Sequence, residues 1–423
     1  MLPPTLRALS PLLFALAIGA TPDRGAAQQA PAAPSSSQPG SEKHQQVGPP
    51  QDFHRASRIN PGRIGQFADH RDIGDPKLPG SASYDAKTGT YRVVGGGGNM
   101  WAGHDAFQFV WKTMSGNVAM QADLGFISPK PTPTAGGFLH RKGGLVIRQD
   151  LDPDSAYVDA VRMSNAQLSL QYREVKGGPT RLIWINTSRQ QAVKLEKIGD
   201  YMYLSVPGPD GTLRRAGGSF KVRIAGTYFI GLGVCAHDNG TSETMDFRHV
   251  TITPLPAKAA RPGGATVQTI NIANPLEQTA LFHAAGPVAV TGWSADGTAV
   301  LFRSGGALRR ATAWDSDVVE KAAGGAAVVA RPATPAAITT GHGTAFDLRL
   351  SPDGKWLAFL SADGTQPKAA TSTDVSLRLM PVSDGVPQRD KSIILSRLVG
   401  GKGSLGDAAW SPDSKTLAFV SRD

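Results

Sequence analysis

Residues 410–419 read WSPDSKTLAF, and two earlier segments repeat this pattern. Residues 351–359 read SPDGKWLAF, and residues 293–302 carry a looser copy, WSADGTAVLF. The serines at positions 294, 351 and 411 are 57 and 60 residues apart. A repeat at a nearly fixed period indicates structural units that stack on one another. Each copy places a polar tight turn before a short apolar run, which predicts two antiparallel strands joined by that turn.

The second repeat unit predicts four strands, at residues 346–350, 356–360, 375–380 and 392–395. Four strands per unit is the blade of a β-propeller, although the unit is longer than the roughly 40–45 residues usual for such blades. Gly- and Ala-rich insertions such as residues 322–337 account for the excess. The residues that define the repeat are Trp293, Asp296, Gly297, Ser351, Pro352, Asp353, Gly354, Trp410, Ser411, Pro412 and Asp413.

Through these residues, the region 281–423 resembles the TolB-like, six-bladed periplasmic propellers, whose blades carry a W-S-P-D-G-K-x-φ-A-F-type signature (φ is apolar). The first copy departs from the signature at Ala295 and Thr298. The resemblance implies a role near envelope assembly or biopolymer transport. Only about two and a half blades fit after residue 278 at this spacing. We therefore expect the sequence to be a piece of a longer protein.

The N-terminal residues predict a secretory leader. Arg7 precedes an apolar core at 12–19, and small residues at 25–27 end a leader of residues 1–27. Residues 28–50 are rich in Pro, Ser, Gln and Ala, which predicts a flexible tether. We expect a periplasmic or secreted protein. The sole cysteine, Cys235, has no partner for an internal disulfide.

Residues 51–254 show apolar side chains at alternate positions, with no helical periodicity. The clearest strands are residues 144–148, 156–161, 168–173, 182–185 and 228–234, together with a hairpin of 193–197 and 201–204 that turns at Gly199. Many short strands joined by polar turns predict a two-sheet antiparallel sandwich.

This region also resembles the concanavalin A-like jelly-roll domains. The segments that carry the likeness are 101–112, 140–160, 168–174, 193–211 and 227–252. The predicted fold is therefore all-β, with a concanavalin A-like β-sandwich at 51–254, a linker at 255–278 and a partial β-propeller at 279–423.

The net charge of the chain and its distribution indicate which classes of partner it can bind. The formal net charge is +10 and the pI about 9.7, but the basic residues are scattered, with no run longer than pairs such as Arg214-Arg215. This distribution argues against nucleic acid and favours attraction to anionic envelope polymers. After the leader, no apolar run is long enough to cross a bilayer, so we expect no transmembrane segment in the mature chain.

Catalytic patterns are weak. Glycosidases need two carboxylates about 5–9 Å apart, and jelly-roll glucanases carry them as E-x-D-x-x-E on one strand. The nearest match, Glu243 and Asp246, has the wrong spacing, while Glu174 and Glu196 stand singly. The sequence also lacks the Gly-x-Ser-x-Gly elbow of serine hydrolases. The nearest match, GSLG at residues 403–406, is one position short. We assign no catalytic residue.

Three acids, Asp150, Asp152 and Asp154, alternate as in a calcium loop, but Ser155 replaces the loop glycine. A solvated turn is the favoured interpretation and a Ca²⁺ site the alternative; no other cofactor is predicted. His104-Asp105 and His237-Asp238 each pair an imidazole with a carboxylate, too few ligands for a metal centre.

Sugar rings stack on aromatic faces, while charged side chains bind their hydroxyls. The candidate ligand-binding residues are Trp101, His104, Asp105, Arg148, Tyr157, Arg173 and His237. Together these features predict a non-catalytic binding or scaffold protein that recognises an envelope protein or polysaccharide. The alternatives are a secreted carbohydrate-active enzyme and the non-catalytic half of a serine peptidase.

Overall fold

The computed structural model describes residues 59–60, 62–127, 141–164, 166–188, 191–208, 210–312, 344–362, 373–407 and 409–423. The predicted leader (1–27) and tether (28–50) lie outside these ranges. The described residues form 27 strands and a single short 3-10 turn, Arg389–Lys391. None of the helices in this part of the chain is long and apolar enough to cross a membrane. The predicted all-β class is confirmed.

The strands follow one another along the chain with short connections. They are β1 (Ile59–Asn60), β2 (Asp69–Ile73), β3 (Ser81–Asp85), β4 (Thr90–Gly95), β5 (Asn99–Trp101), β6 (His104–Ser115), β7 (Asn117–Phe126), β8 (Lys142–Arg148), β9 (Tyr157–Met163), β10 (Gln167–Arg173), β11 (Thr180–Ser188), β12 (Ala192–Ile198), β13 (Tyr201–Pro207), β14 (Leu213–Lys221), β15 (Thr227–Cys235), β16 (Glu243–Leu255), β17 (Ala265–Asn271), β18 (Glu277–Ala284), β19 (Val288–Trp293), β20 (Ala299–Ser304), β21 (Ala307–Thr312), β22 (Thr344–Leu350), β23 (Trp356–Ala362), β24 (Thr373–Ser383), β25 (Val386–Pro387), β26 (Ile393–Gly400) and β27 (Thr416–Arg422).

The first sixteen strands form a jelly-roll sandwich, as predicted. The front sheet runs in the spatial order β1-β2-β6-β15-β8-β9-β10-β11, and the back sheet runs β14-β13-β12-β7-β16-β4-β3. Alternate residues of both sheets meet in one core, which includes Leu145 and Val158 from the front and Met120 and Leu195 from the back. Burying each such side chain stabilises the fold by about 1.5–3 kcal/mol.

The predicted hairpin is β12 and β13, in which Ile198 pairs with Tyr201 and Gly199 has a φ of 61°. A positive φ in this range is readily reached by glycine, which has no Cβ.

The repeat region forms antiparallel blades. Blade one contains β19, β20 and β21, and blade two contains β22, β23, β24 and β26. Blade three is built around β27, which pairs with β17, and β17 in turn pairs with β18. Blade three is therefore completed by strands that precede blade one in the sequence. The partial propeller of the predicted fold is confirmed.

The predicted linker, residues 255–278, is not irregular throughout, because it contains β17 and the first residues of β18. The Gly- and Pro-rich residues before position 265 obscure the alternation of Ala265, Val267 and Thr269. Val267, in β17, is fully buried because it packs in one apolar cluster with residues of β27 and of blade one. The blades thus begin earlier than residue 279.

The three repeat turns share one hydrogen-bond pattern. The hydroxyl oxygens of Ser294, Ser351 and Ser411 each accept a bond of 2.9 Å from the backbone N–H five residues later. Oδ1 of Asp296, Asp353 and Asp413 each accepts a bond of 3.1 Å from the N–H two residues later. Three sequence copies therefore make three copies of one turn.

Tryptophans of the repeat connect neighbouring blades. Trp410 Nε1 donates to the carbonyl of Arg349 at 3.0 Å, and Trp293 Nε1 donates to the carbonyl of Ala409 at 3.2 Å. The first bond joins blade three to blade two, and the second joins blade one to blade three. The same residue of the motif thus makes the same kind of contact twice.

The blades also extend both sheets of the sandwich. Strand β18 pairs with β11 in parallel, and β26 pairs with β14 through Phe220 and Leu398. Arg181 Nη1, from the sandwich, donates to the carbonyl of Leu395 at 2.7 Å. Two continuous sheets therefore support the surfaces described next.

Candidate binding site

Four of the predicted ligand residues meet on the outer face of the front sheet. Tyr157 lies opposite Arg148 in the β8–β9 register and opposite Arg173 in the β9–β10 register. Asp105, on β6, reaches the same place. We call Asp105, Arg148, Tyr157 and Arg173 the arginine cluster. Asp105 is 1% exposed and the other three are fully buried.

Asp105 binds both guanidinium groups of the arginine cluster. Its Oδ2 lies 3.0 Å from Arg148 Nη1, and its Oδ1 lies 2.8 Å from Arg173 Nη2. Arg148 Nε also donates to the carbonyl of Asp150 at 3.0 Å, and Arg173 Nη1 donates to that of Ser155 at 2.9 Å. Buried charges persist only when they are paired and hydrogen-bonded. The cluster therefore braces β6, β8 and β10 and the loop that follows β8.

A second set of polar side chains lies beside the cluster on the same face. Lys142 Nζ donates to Gln171 Oε1 at 3.1 Å. Asp159 lies opposite Gln171 in the β9–β10 register, and Ser169 is two residues from Gln171 along β10. The carboxylate oxygens of Asp159, the amide nitrogen of Gln171 and the hydroxyl of Ser169 are buried without a hydrogen-bond partner. We call Lys142, Asp159, Ser169 and Gln171 the lysine row.

Burial changes the acidity of these groups. It raises the pKa of the Asp159 carboxyl well above its usual range, an effect that the Lys142 ammonium opposes. Burial also lowers the pKa of Lys142. Cys235 lies opposite Lys142 in the β8–β15 register, and burial raises the pKa of its thiol to about 11. Opposite shifts in neighbouring groups are common at functional sites but also occur in structural ion-pair networks.

The hairpin formed by β5 and the start of β6, residues 99–106, covers this face, and we call it the β5 hairpin. The Met100 carbonyl accepts a bond of 3.2 Å from Lys142 Nζ, and the Trp101 ring centroid lies 5.7 Å from the same nitrogen. The Ala102 carbonyl accepts bonds of 3.0 Å from both the N–H and the hydroxyl of Thr180. Because side chains and backbone of β8 and β11 bind the hairpin, the polar groups beneath it are shielded from solvent.

The remaining predicted ligand residues lie outside the arginine cluster. His104 is exposed, His237 is half-buried with a φ of 62°, and Trp101 is half-buried in the covering hairpin. The structure therefore differs from the predicted open ligand face. Arg148, Tyr157 and Arg173 are interior groups, because the hairpin and the loop after β8 close over them.

The acidic loop is occupied by a side chain. Lys176 Nζ forms a short ion pair with Asp152 and lies 3.4 Å from Asp150 Oδ2 and 3.8 Å from Asp154 Oδ1. One ammonium group thus lies among the three carboxylates of the alternative Ca²⁺ site. Within the described ranges, no three His, Cys, Asp or Glu side chains are arranged to hold a metal ion.

Two of the candidate glycosidase carboxylates, Glu243 and Glu196, are engaged in ion pairs. Glu243 Oε2 lies 2.7 Å from Arg141 Nη1, and both side chains are buried. Glu196 lies 3.0 Å from Arg215 and 2.8 Å from Lys194. Glu243 and Glu196 therefore each neutralise a neighbouring cation.

A recess that the sequence did not reveal lies on the outer face of the back sheet. Its volume is about 400 Å³. It is lined by Ser83, Asp85, Thr88, Thr90, Arg92, Asp246 and Arg248. The residues come from β3, β4, β16 and the turn between β3 and β4. All seven have polar side chains, and β3 is the edge strand of the sheet. We call this surface the back-sheet recess.

No family model matches the chain, and no curated protein matches it. Among solved structures, it is similar to a functionally unknown protein from Saccharomyces cerevisiae at 13% identity and a TM-score of 0.34, over 44% of this chain and 97% of that one. A GH43 protein, BlXynB, from Bacillus licheniformis is similar at 12% identity and a TM-score of 0.32, over 46% of this chain and 38% of that one.

A family 7 alginate lyase, A1-II', is similar at 11% identity and a TM-score of 0.28, over 41% of this chain and 83% of that one. Likenesses at this level do not transfer an activity.

Proposed function

We propose that this chain is an exported, non-catalytic binding and scaffold protein of the bacterial envelope, with TolB-like blades, that recognises a polysaccharide or protein partner. The leader-like N-terminus supports export. The three equivalent repeat turns and the tryptophan bonds between blades support the TolB-like assignment, which brings with it an association with biopolymer transport.

One observation carries the non-catalytic part of the proposal. The arginine cluster is 0–1% exposed, and Asp105 pairs with both of its guanidinium groups beneath the β5 hairpin. A catalytic acid or base must lie within hydrogen-bond reach of its substrate. Side chains closed into an internal brace stabilise the sheet instead, and recognition falls to the exposed back sheet and the blades.

The test combines binding and turnover on the same protein. The purified chain is immobilised and exposed to solubilised envelope polysaccharides and proteins, and in parallel is incubated with polysaccharides while reducing ends and unsaturated products are measured. We expect retention of an envelope component without product formation. Turnover that disappears in Asp159→Asn would overturn the proposal.

A carbohydrate-active enzyme is the second candidate, and the lysine row favours it. Asp159 combines a raised pKa with two unpartnered oxygens, beside an ammonium group and an unpartnered amide. If the β5 hairpin lifted, a protonated carboxyl would face a polar surface. The turnover assay separates the two candidates, because only the enzyme loses product formation in Asp159→Asn.

A further inference from the structure

We propose that the back-sheet recess is a binding site for a neutral saccharide chain. The inference rests on the proposed binding function and assigns that function a location and a ligand class. The volume of the recess, about 400 Å³, falls within the roughly 300–1,000 Å³ typical of small-molecule sites.

Strand register builds the recess. Ser83 lies opposite Arg92 in the β3–β4 pair, and Arg92 lies opposite Asp246 in the β4–β16 pair. Asp85 lies opposite Thr90 one step further along the sheet. Since side chains alternate between the faces of a sheet, these five residues all point away from the core. They form a continuous polar surface across three strands.

Two groups in the recess are held in position before any ligand arrives. Arg92 donates to Asp246 through two bonds, Nε to Oδ1 at 2.8 Å and Nη2 to Oδ2 at 3.0 Å. Asp85 accepts bonds from the Lys87 N–H at 2.8 Å and from the Thr88 hydroxyl at 2.9 Å, and these bonds lower the pKa of its carboxyl. Asp85 is therefore a fixed, ionised acceptor.

Arg248 supplies donors that the protein does not use fully. Its side chain is 62% exposed, and its Nη2 lies 3.7 Å from Asp246 Oδ2, which is longer than a hydrogen bond. The Arg92 side chain is 55% exposed, so its outer N–H groups also face the recess. The recess thus presents fixed acceptors next to accessible donors.

A strained bulge lies at the border of the recess. The register between β16 and β7 shifts between Arg248 and Thr251, and His249 adopts a φ of 50°. His249 Nδ1 lies 2.7 Å from Asp123 Oδ2. A left-handed non-glycine residue costs on the order of 1–3 kcal/mol, and such residues cluster at functional sites. Bulges next to such sites redirect side chains, and this one leaves both Arg248 and His249 exposed.

The balance of charge indicates the ligand class. Two carboxylates, Asp85 and Asp246, and two guanidinium groups, Arg92 and Arg248, line the same recess. The carboxylates repel a phosphate or a uronate, and the guanidinium groups repel a cation. The hydroxyls of Ser83 and Thr90 can both donate and accept, whereas that of Thr88, which donates to Asp85, can only accept. Neighbouring sugar hydroxyls, which also donate and accept, complement this arrangement.

The experiment uses the full chain and a panel of neutral oligosaccharides built from glucose, mannose, galactose, xylose or N-acetylglucosamine, with guluronate oligomers as the charged arm. Binding is measured by glycan array, and hits are titrated by calorimetry. We expect at least one neutral oligosaccharide to bind, and its affinity to fall at least about tenfold in Arg248→Ala and in Asp85→Asn, as for loss of a hydrogen bond to a charged group. The exposed Arg223, four strands away beyond β14, provides the matched control Arg223→Ala, which should bind as the wild type does.

Three results would overturn the inference. They are no binding to any neutral oligosaccharide, binding only to guluronate, and equal affinity in Arg248→Ala, Asp85→Asn and the wild type. Different results would overturn the proposed function: catalytic turnover, or no retention of any envelope component. A neutral polysaccharide that is retained equally by wild type, Arg248→Ala and Asp85→Asn would leave the proposed function standing while removing this site.

Discussion

The outer faces of the two sheets carry the same kinds of residues in opposite states. On the front sheet, Asp105 and its two arginines are buried and satisfied by one another. On the back sheet, the pair formed by Arg92 and Asp246 borders an open recess, with Arg92 half exposed. Charged residues at alternate strand positions therefore brace the front sheet where a hairpin covers them, and on the back sheet they stay accessible to solvent.

Removing Asp105 should have the largest effect. Asp105→Asn leaves two buried guanidinium groups without a counter-charge, so we expect the free energy of unfolding to fall by about 3–5 kcal/mol. Urea denaturation followed by tryptophan fluorescence measures this loss.

The matched variant on the back sheet is Asp246→Asn, whose partner can turn to water. Its urea midpoint should shift much less than that of Asp105→Asn. Equal shifts would mean that the two faces do not differ in the way their burial indicates.

The lysine row should make stability depend on pH. Burial raises the folded-state pKa of Asp159 above its unfolded value, so the folded state binds the extra proton between the two values. The free energy of unfolding therefore falls as pH rises from about 4 towards the raised pKa, by at most about 1.4 kcal/mol per pH unit. Asp159→Asn has no titrating group at this position, so its stability relative to wild type should increase as pH rises from about 4 towards the raised pKa. Parallel curves for the two proteins in urea titrations at several pH values would show that Asp159 titrates normally.

The acidic loop offers a smaller effect that involves a metal. In Lys176→Gln, the three carboxylates of Asp150, Asp152 and Asp154 lose the ammonium group between them. We expect millimolar Ca²⁺ to raise the melting temperature of this variant by about 2–4 °C, because a cation that binds only the folded state stabilises it. The wild type should not respond, and Mg²⁺ is the control. A wild type that Ca²⁺ stabilises equally would show that Lys176 does not occupy the site.

The blades provide the smallest effect, at one hydrogen bond. Trp410→Phe keeps an aromatic ring but removes the indole N–H that the Arg349 carbonyl accepts, at a cost of about 1 kcal/mol. Trp293→Phe should cost about the same, because it loses the equivalent bond to Ala409. Trp356, which packs at the edge of the same apolar cluster as Trp410, gives the control variant Trp356→Phe. A cost confined to one of the two motif variants would show that the blades are not joined equivalently.

Local pattern predicted most of the fold, since strands alternate in sequence as they do in space. The hairpin at Gly199 and the four strands of blade two follow from residues close together in the chain. The pairing of β17 with β27 could not be predicted in this way, because about 150 residues separate strands whose contact depends on the packing of whole blades.

The sites were predicted less well, because burial and long-range pairing decide them. The structure brings Arg148, Tyr157 and Arg173 together, but it buries them beneath a hairpin that is distant in sequence, which the sequence pattern did not indicate. A charged residue in the apolar run of β9, Asp159, was the signal for a buried polar row. The back-sheet recess joins Arg92 to Asp246, which register alone brings together.

Cys235 provides the most direct measurement of whether the front face is closed. It is the sole cysteine, it is fully buried, and it lies opposite Lys142. Its reaction with Ellman's reagent in native buffer should be no faster than global unfolding, and should rise with urea as steeply as unfolding does. Rapid labelling that is independent of urea would show that the face opens in the native protein, and would contradict a structural role for the groups beneath the β5 hairpin.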